Sequence, residues 1–345
     1  MIAPRKMQVK QSILILFLLL FSSAYAVAQS GDLKTTTPRL AELEGKGYEA
    51  LFNLDYGTAR QTFKEMARRF PDDPIGPHML AWTLWLETLN QSRLRQGAIY
   101  SSQSFEANSE DKPDPRVVQE FRDLTRQATQ LARLRLQRNP QDPQTLYALG
   151  AVETLKASFA ITVEGRYLAA LRDGSSGADR HREVIKLDPN FHDAELAIGL
   201  FDYIVGNLPL PAKLVASFAG ARGSKKRGIQ TLERVAKEGH WERDYAKLLL
   251  MAMYKHEKRV PESLVLSREL QEKYPRNYLF KLETADALTS QAIFERQENR
   301  VAAADALQKE ALSNFEALLA ERPAPKLPAR AQLSSTSRFE AGRHR

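Results

Sequence analysis

The strongest chemical signal in the chain is a basic, glycine-bordered run, Gly220-Ala221-Arg222-Gly223-Ser224-Lys225-Lys226-Arg227. Glycine-rich backbone leading into a helix start can offer free N–H groups to an anion, and Arg222, Lys225, Lys226 and Arg227 would add positive charge. The spacing departs from a Walker A loop, which needs four residues between its glycines. The competing reading is a hinge in which Ser224 caps the next helix and the cations are solvated. Basic residues in a first turn oppose the helix dipole, so contact with an anionic partner or a lipid headgroup is the functional expectation.

Other chemistry is sparse. The histidines are His78, His181, His192, His240, His256 and His344, and none forms a His-Glu-x-x-His pair on one helix face. His181 and His192 flank the Pro189 turn without a third ligand, so no metal is expected and the histidines read as surface residues. Close carboxylates such as Glu42 with Glu44, or Glu106 with Glu110, sit among polar neighbours and read as exposed. No Gly-x-Ser-x-Gly elbow or dinucleotide fingerprint occurs. Cysteine is absent, which excludes disulfides, thiol catalysis and thiolate metal sites. The expectation is no enzyme and no cofactor, with an unrecognised site in the insertions as the least favoured reading.

The elements that must position these residues follow from pattern and composition. The 345 residues are 43% apolar and 27% charged, an ordinary globular balance, and 17 Gly with 17 Pro leave few turns for a many-stranded fold. The net charge of +8 is unevenly placed. Residues 1–28 carry +3 and residues 322–345 carry +5, which leaves 29–321 neutral. Arg5, Lys6 and Lys10, the apolar run Ile13 to Phe21 and the Ala24-x-Ala26-x-Ala28 exit form a secretory signal, cleaved after Ala28 or Ala26. Export is the expectation, to the periplasm of a diderm host or otherwise to the outside. Residues 29–37 read as a linker and 322–345 as a disordered basic tail with Pro323, Pro325 and Pro328. Export and a neutral body argue against a nucleic-acid partner.

Between 38 and 321 apolar residues recur at helical spacing, as in Leu146, Leu149 and Val152, and the body is expected to be all-α. Proline clusters at Pro71, Pro140, Pro189 and Pro275, each within two residues of Asp or Asn, stop one helix and start the next. The stretch Leu40 to Asp73, with Gly47, Asp55-Tyr56, Ala59, Phe63 and Pro71, resembles the tetratricopeptide repeat unit. Further units are expected around Ala81 with Ala128 and Ala132, around Gly150, around Gly199 with Gly228, and from Trp241 to Pro275, with a capping pair beyond Tyr278. Insertions at 87–115, 156–174 and 207–223 break the period. The phrase Gly199-Leu-Phe-Asp-Tyr203 with Gly220 to Gly228 also resembles the inserted hairpin of eukaryotic outer-mitochondrial-membrane tetratricopeptide proteins.

The tetratricopeptide resemblance implies an α-solenoid whose first helices line a concave, partner-binding face. Carried onto this chain, the facing positions are Tyr48, Phe52, His78, Trp82, Trp85, Tyr147 and Tyr203. Aromatics with polar tips suit an extended peptide or a partner helix. Trp82 and Trp85 have an equal alternative role, sealing the insertion that follows them. The resemblance therefore implies a scaffold for a protein or peptide, and the rival is a peripheral membrane protein held on anionic lipid by the basic loop and tail.

Overall fold

The computed structural model describes residues 37–96, 113–218 and 221–321; the segments expected to be a signal peptide and a basic tail, most of the expected linker, much of the 87–115 insertion with Glu106 and Glu110, and Gly220 lie outside them. Among the described residues there is no strand, and no helix is long and apolar enough to cross a membrane. The chain divides into two compact units at Asn277/Tyr278.

The first unit holds five helical hairpins. They are α1 (Thr37–Phe52) with α2 (Tyr56–Arg69), α3 (Ile75–Gln96) with α4 (Pro115–Arg138), and α5 (Pro143–Thr162) with α6 (Tyr167–Leu187). After a 3-10 turn at His192–Ala194 come α7 (Glu195–Asn207), α8 (Leu210–Phe218) and α9 (Lys225–Glu238), then α10 (Arg243–His256) with α11 (Val260–Lys273). Each hairpin also packs on the next, through α2 with α3, α4 with α5, α6 with α7 and α9 with α10. The fourth hairpin pairs α7 with α9, and α8 is inserted between them. The second unit is the hairpin α12 (Tyr278–Gln297) and α13 (Val301–Glu321).

Proline sets the stops. The residue before proline is disfavoured in the α region, because its backbone meets the ring. Phe70, Asn139, Asp188 and Tyr274 each precede a proline and cap α2, α4, α6 and α11 with φ between −139° and −123°. Their N–H groups still close the last helical bond, as in Phe70 to Met66 O at 2.9 Å. Starts are capped by side chains that accept from the exposed first-turn N–H groups. Asp55 takes Thr58 N–H at 3.1 Å, Asp142 takes Thr145 N–H at 3.1 Å, and Ser224 takes Arg227 N–H at 3.4 Å.

Within hairpins a different turn recurs, and it uses no glycine. Leu54, Lys258 and Asn299 adopt φ near +60° after α1, α10 and α12. The next N–H reaches back five residues, Asp55 to Ala50 O at 2.9 Å, Arg259 to Tyr254 O at 2.7 Å and Arg300 to Glu295 O at 2.9 Å. These pairs of bonds are Schellman closures, which satisfy carbonyls a helix end leaves open.

Glycine acts where helices touch. A Cβ at Gly47 would lie 2.2 Å from the Phe63 ring, and one at Gly177 would lie 2.1 Å from Thr154 Oγ1. Gly47 thus lets α1 approach α2, with Phe63 filling the seam, as the repeat resemblance of Leu40 to Asp73 implies. The 156–174 insertion proves to be a lengthening of the third hairpin, whose helices run 20 and 21 residues and turn at Gly165 with φ +68°.

Candidate functional site

The inner face of the first unit gathers aromatic side chains from both ends of its sequence. Tyr48 and Phe52 sit one helical turn apart on α1, and Trp82 on α3 meets both, with ring centroids 5.3 Å and 6.4 Å away. Trp241 stacks on Tyr48 at 5.6 Å, Tyr245 meets Trp82 edge-on at 5.8 Å, and Tyr274 stacks on Phe52 at 5.0 Å. The fifth hairpin therefore covers the first. Polar contacts hold it there: Asn277 Nδ2 donates to Phe52 O at 2.6 Å, Arg276 N–H donates to Asn53 Oδ1 at 3.2 Å, and the Arg276 guanidinium lies 3.6 Å from the Asp55 carboxylate.

All seven residues expected on the concave face are buried, none more than 7% exposed. Tyr48, Phe52 and Trp82 come together. Trp85 donates its indole N–H to Thr162 Oγ1 at 2.8 Å, on the long α5; the loop after α3 that it could seal lies outside the described residues. Tyr147 packs between His181 and Phe191 and donates to Glu242 Oε1 at 3.0 Å. Tyr203 stands apart, donating to Glu257 at 2.9 Å beside His256. His78 is buried on α3, close enough to His181 for their charges to interact.

Polar groups are sealed in with the rings. Glu44 is 1% exposed and Glu242 fully buried, so the reading of Glu44 as a solvated carboxylate is corrected. Glu44 precedes Tyr48 by one helical turn, which turns it inward, while Glu42 faces water. Asp193 accepts from the N–H groups of His240, Trp241 and Glu242 at 2.8, 3.2 and 3.1 Å and so caps the start of α10. Burial raises the Asp193 carboxyl against those three donors. Burial first, then the Glu242, Glu44 and Asp193 carboxylates, lift the Tyr48 phenol well above its usual range. Tyr48 Oη, Trp82 Nε1 and Trp241 Nε1 have no hydrogen-bond partner among the described residues.

The histidines separate by environment. His78 and His181 are buried, which corrects their reading as surface groups; both lie on helix faces that the neighbouring hairpin covers. Burial pushes the His181 imidazole down to about 3. His192 instead bonds Glu195 at 3.2 Å and lies 3.5 Å from Glu238, so His181 and His192 do not share a site.

The basic loop is pressed onto α7. A Cβ at Gly223 would lie 2.5 Å from Asp202 O, and one at Gly206 2.4 Å from Lys225 N, so the glycines serve close packing there. Arg227 forks onto Asp202, with Nη2 at 2.8 Å from Oδ1, and Lys225 reaches Glu257 at 2.8 Å. Arg222 and Lys226 remain exposed.

Sequence reasoning missed Trp241, Tyr245, Tyr274, Glu44, Glu242 and Asp193. A signal existed for Glu44, since its four-residue spacing from Tyr48 puts both on one helix face. For the residues of the fifth hairpin there was none, because only the curvature of the array brings them to α1.

No protein-family model matches the chain, and no curated protein sequence matches it. Solved structures are similar at low identity. A thermophilic tetratricopeptide-repeat protein of Thermus thermophilus is 16% identical, with a TM-score of 0.39 over 72% of this chain and 98% of that one. Human IFIT1, solved as a dimer with m7Gppp-AAAA, is 14% identical, with a TM-score of 0.36 over 98% of this chain and 69% of its own. A tetratricopeptide repeat protein of Parabacteroides merdae is 16% identical, with a TM-score of 0.21 over 73% and 99%. Independently of these likenesses, the chain's own proline-stopped helices, paired through glycine seams and stacked in sequence order, make the described residues between 37 and 277 an all-α, tetratricopeptide-like solenoid with insertions.

Proposed function

We propose that the chain is an exported scaffold that binds a protein or peptide through the inner face of its first unit. The observation that carries the reading is the buried aromatic face with Tyr48 Oη, Trp82 Nε1 and Trp241 Nε1 left without partners among the described residues. A buried polar atom with no partner costs about 1–3 kcal/mol, so a ligand that supplied the acceptors would gain on that scale. A polypeptide backbone carries the carbonyl acceptors that two indole N–H groups need. Because the fifth hairpin covers this face, a partner gains access by displacing it, and the Asn277 and Arg276 contacts to α1 are the latch.

Loosening that latch tests the reading. Asn53→Ala with Asn277→Ala should open the face, seen as faster hydrogen exchange in α1, and raise capture on a random peptide array about tenfold, the inverse of the closed-state penalty. Adding Trp82→Ala should abolish the gain. An opened variant that captures no more peptide than the native chain would defeat the proposal. Export has a separate check: the N-terminus of the protein recovered from its host should lie after Ala28 or Ala26.

A further inference from the structure

The insertion helix α8 is patterned inside out. It buries alanine and displays leucine and phenylalanine. Ala216 is 1% exposed and packs with Phe201 and Val205 of α7, Ala178 of α6 and Ala221, with Leu171 and Leu208 at the margin. Leu210, Leu214 and Phe218 point outward at 78%, 62% and 92% exposure. Their four-residue spacing lines them up as one ridge along the helix. Leu168, 81% exposed, and Tyr167 open α6 one turn before Leu171, which belongs to the same packed cluster.

Positive charge accompanies the ridge. From Tyr203 to Leu232 the chain has no acidic residue but carries Lys213, Arg222, Lys225, Lys226 and Arg227. Arg227 and Lys225 are taken up by Asp202 and Glu257. Lys213, Arg222 and Lys226 make no ion pair among the described residues. The carboxylates near the start of α6 are occupied, Glu164 by Arg122 and Arg166, and Asp173 by Arg172.

We propose that α8 docks the protein on an anionic lipid surface, inserting Leu210, Leu214 and Phe218 among acyl chains while Lys213, Arg222 and Lys226 meet the headgroups. Charge decides for lipid over protein. The cations without ion pairs lie on the same acid-free stretch as the outward apolar side chains, so an anionic surface with an apolar interior satisfies both, and a bilayer is such a surface. An interfacial helix joins apolar insertion to cationic contact in this way, and the two together bind more firmly than either alone. The inference goes beyond the scaffold reading and does not depend on the inner face.

The test uses the full chain with phosphatidylcholine vesicles, with and without phosphatidylglycerol. The chain should float with the anionic vesicles, and less so as salt is raised. Leu210→Ala, Leu214→Ala and Phe218→Ala together should cut flotation about tenfold. That variant keeps both chain termini, so the loss belongs to the ridge. Arg222→Glu with Lys226→Glu should cut it similarly. Since a triple variant can misfold, Phe218→Trp gives an independent reading: its emission should shift to the blue on anionic vesicles, after subtraction of the native chain's signal. Full flotation by the triple variant, equal binding to neutral vesicles, or an unmoved Phe218→Trp emission would each overturn the proposal. So would a purified partner protein that protects the ridge while anionic vesicles leave it unbound.

Discussion

The inner face of the first unit and the α8 insertion use the same kinds of side chain to opposite ends. Tyr48, Phe52 and Trp82 are covered because the hairpin array curves until α10 and α11 lie over α1 and α3. Leu210, Leu214 and Phe218 are uncovered because α8 packs through Ala216 and leaves its outer side exposed. Apolar character therefore does not by itself assign a residue to core or interface in this fold. What decides is whether a later hairpin returns to the same place.

Substitution should separate the two regions by size of effect. Trp82→Ala removes a ring held by Tyr48, Phe52 and Tyr245 and should cost about 4 kcal/mol of unfolding free energy. Phe218→Ala, on the open ridge, should stay within about 0.5 kcal/mol. Urea unfolding of both variants measures the difference, and equal costs would erase the comparison.

The next largest effect concerns pH. The His181 imidazole is held at about 3 in the fold against 6.5 in a free chain. A depressed histidine stabilises the fold above its unfolded value, and that contribution is lost as pH falls from 6.5 towards 3. Between about pH 7 and about pH 4 the native chain should lose about 3 kcal/mol through this group, a loss absent from His181→Leu. Denaturation at the two pH values gives the comparison, and parallel losses in both proteins would show that the buried ring is not the source.

The smallest effect lies in the turns that let hairpins stack at all. Lys258 holds φ +61° on an exposed turn, where glycine is free of Cβ strain. Lys258→Gly should raise stability by about 1 kcal/mol, read as a higher thermal midpoint. A lower midpoint would mean that the side chain, rather than the backbone, matters there.

Local structure was legible because it is local chemistry. Pro71, Pro140, Pro189 and Pro275 mark real helix stops, since the ring acts on the adjacent backbone wherever it stands. Gly47 and Phe63 form the seam the repeat resemblance implies. The Schellman turns at Leu54 and Lys258 were invisible, because neither residue favours the left-handed region and only the closing hydrogen bonds place it there. The candidate site was half legible: inward positions could be named from helical spacing, but not what lies against them.

From sequence alone came the helical class, the hairpin breaks, the neutral body between charged ends and the aromatic positions of the first helices. Each depends on residues within a few turns of one another. Only tertiary structure brought Trp241, Tyr245 and Tyr274 onto Tyr48, Phe52 and Trp82, buried Glu44, neutralised Lys225 and Arg227, and left the α8 ridge bare. Those outcomes join residues separated by as many as 225 positions, as Asn277 and Phe52 are. They depend on small rotations between successive hairpins that add up along the array, and no single segment encodes the sum.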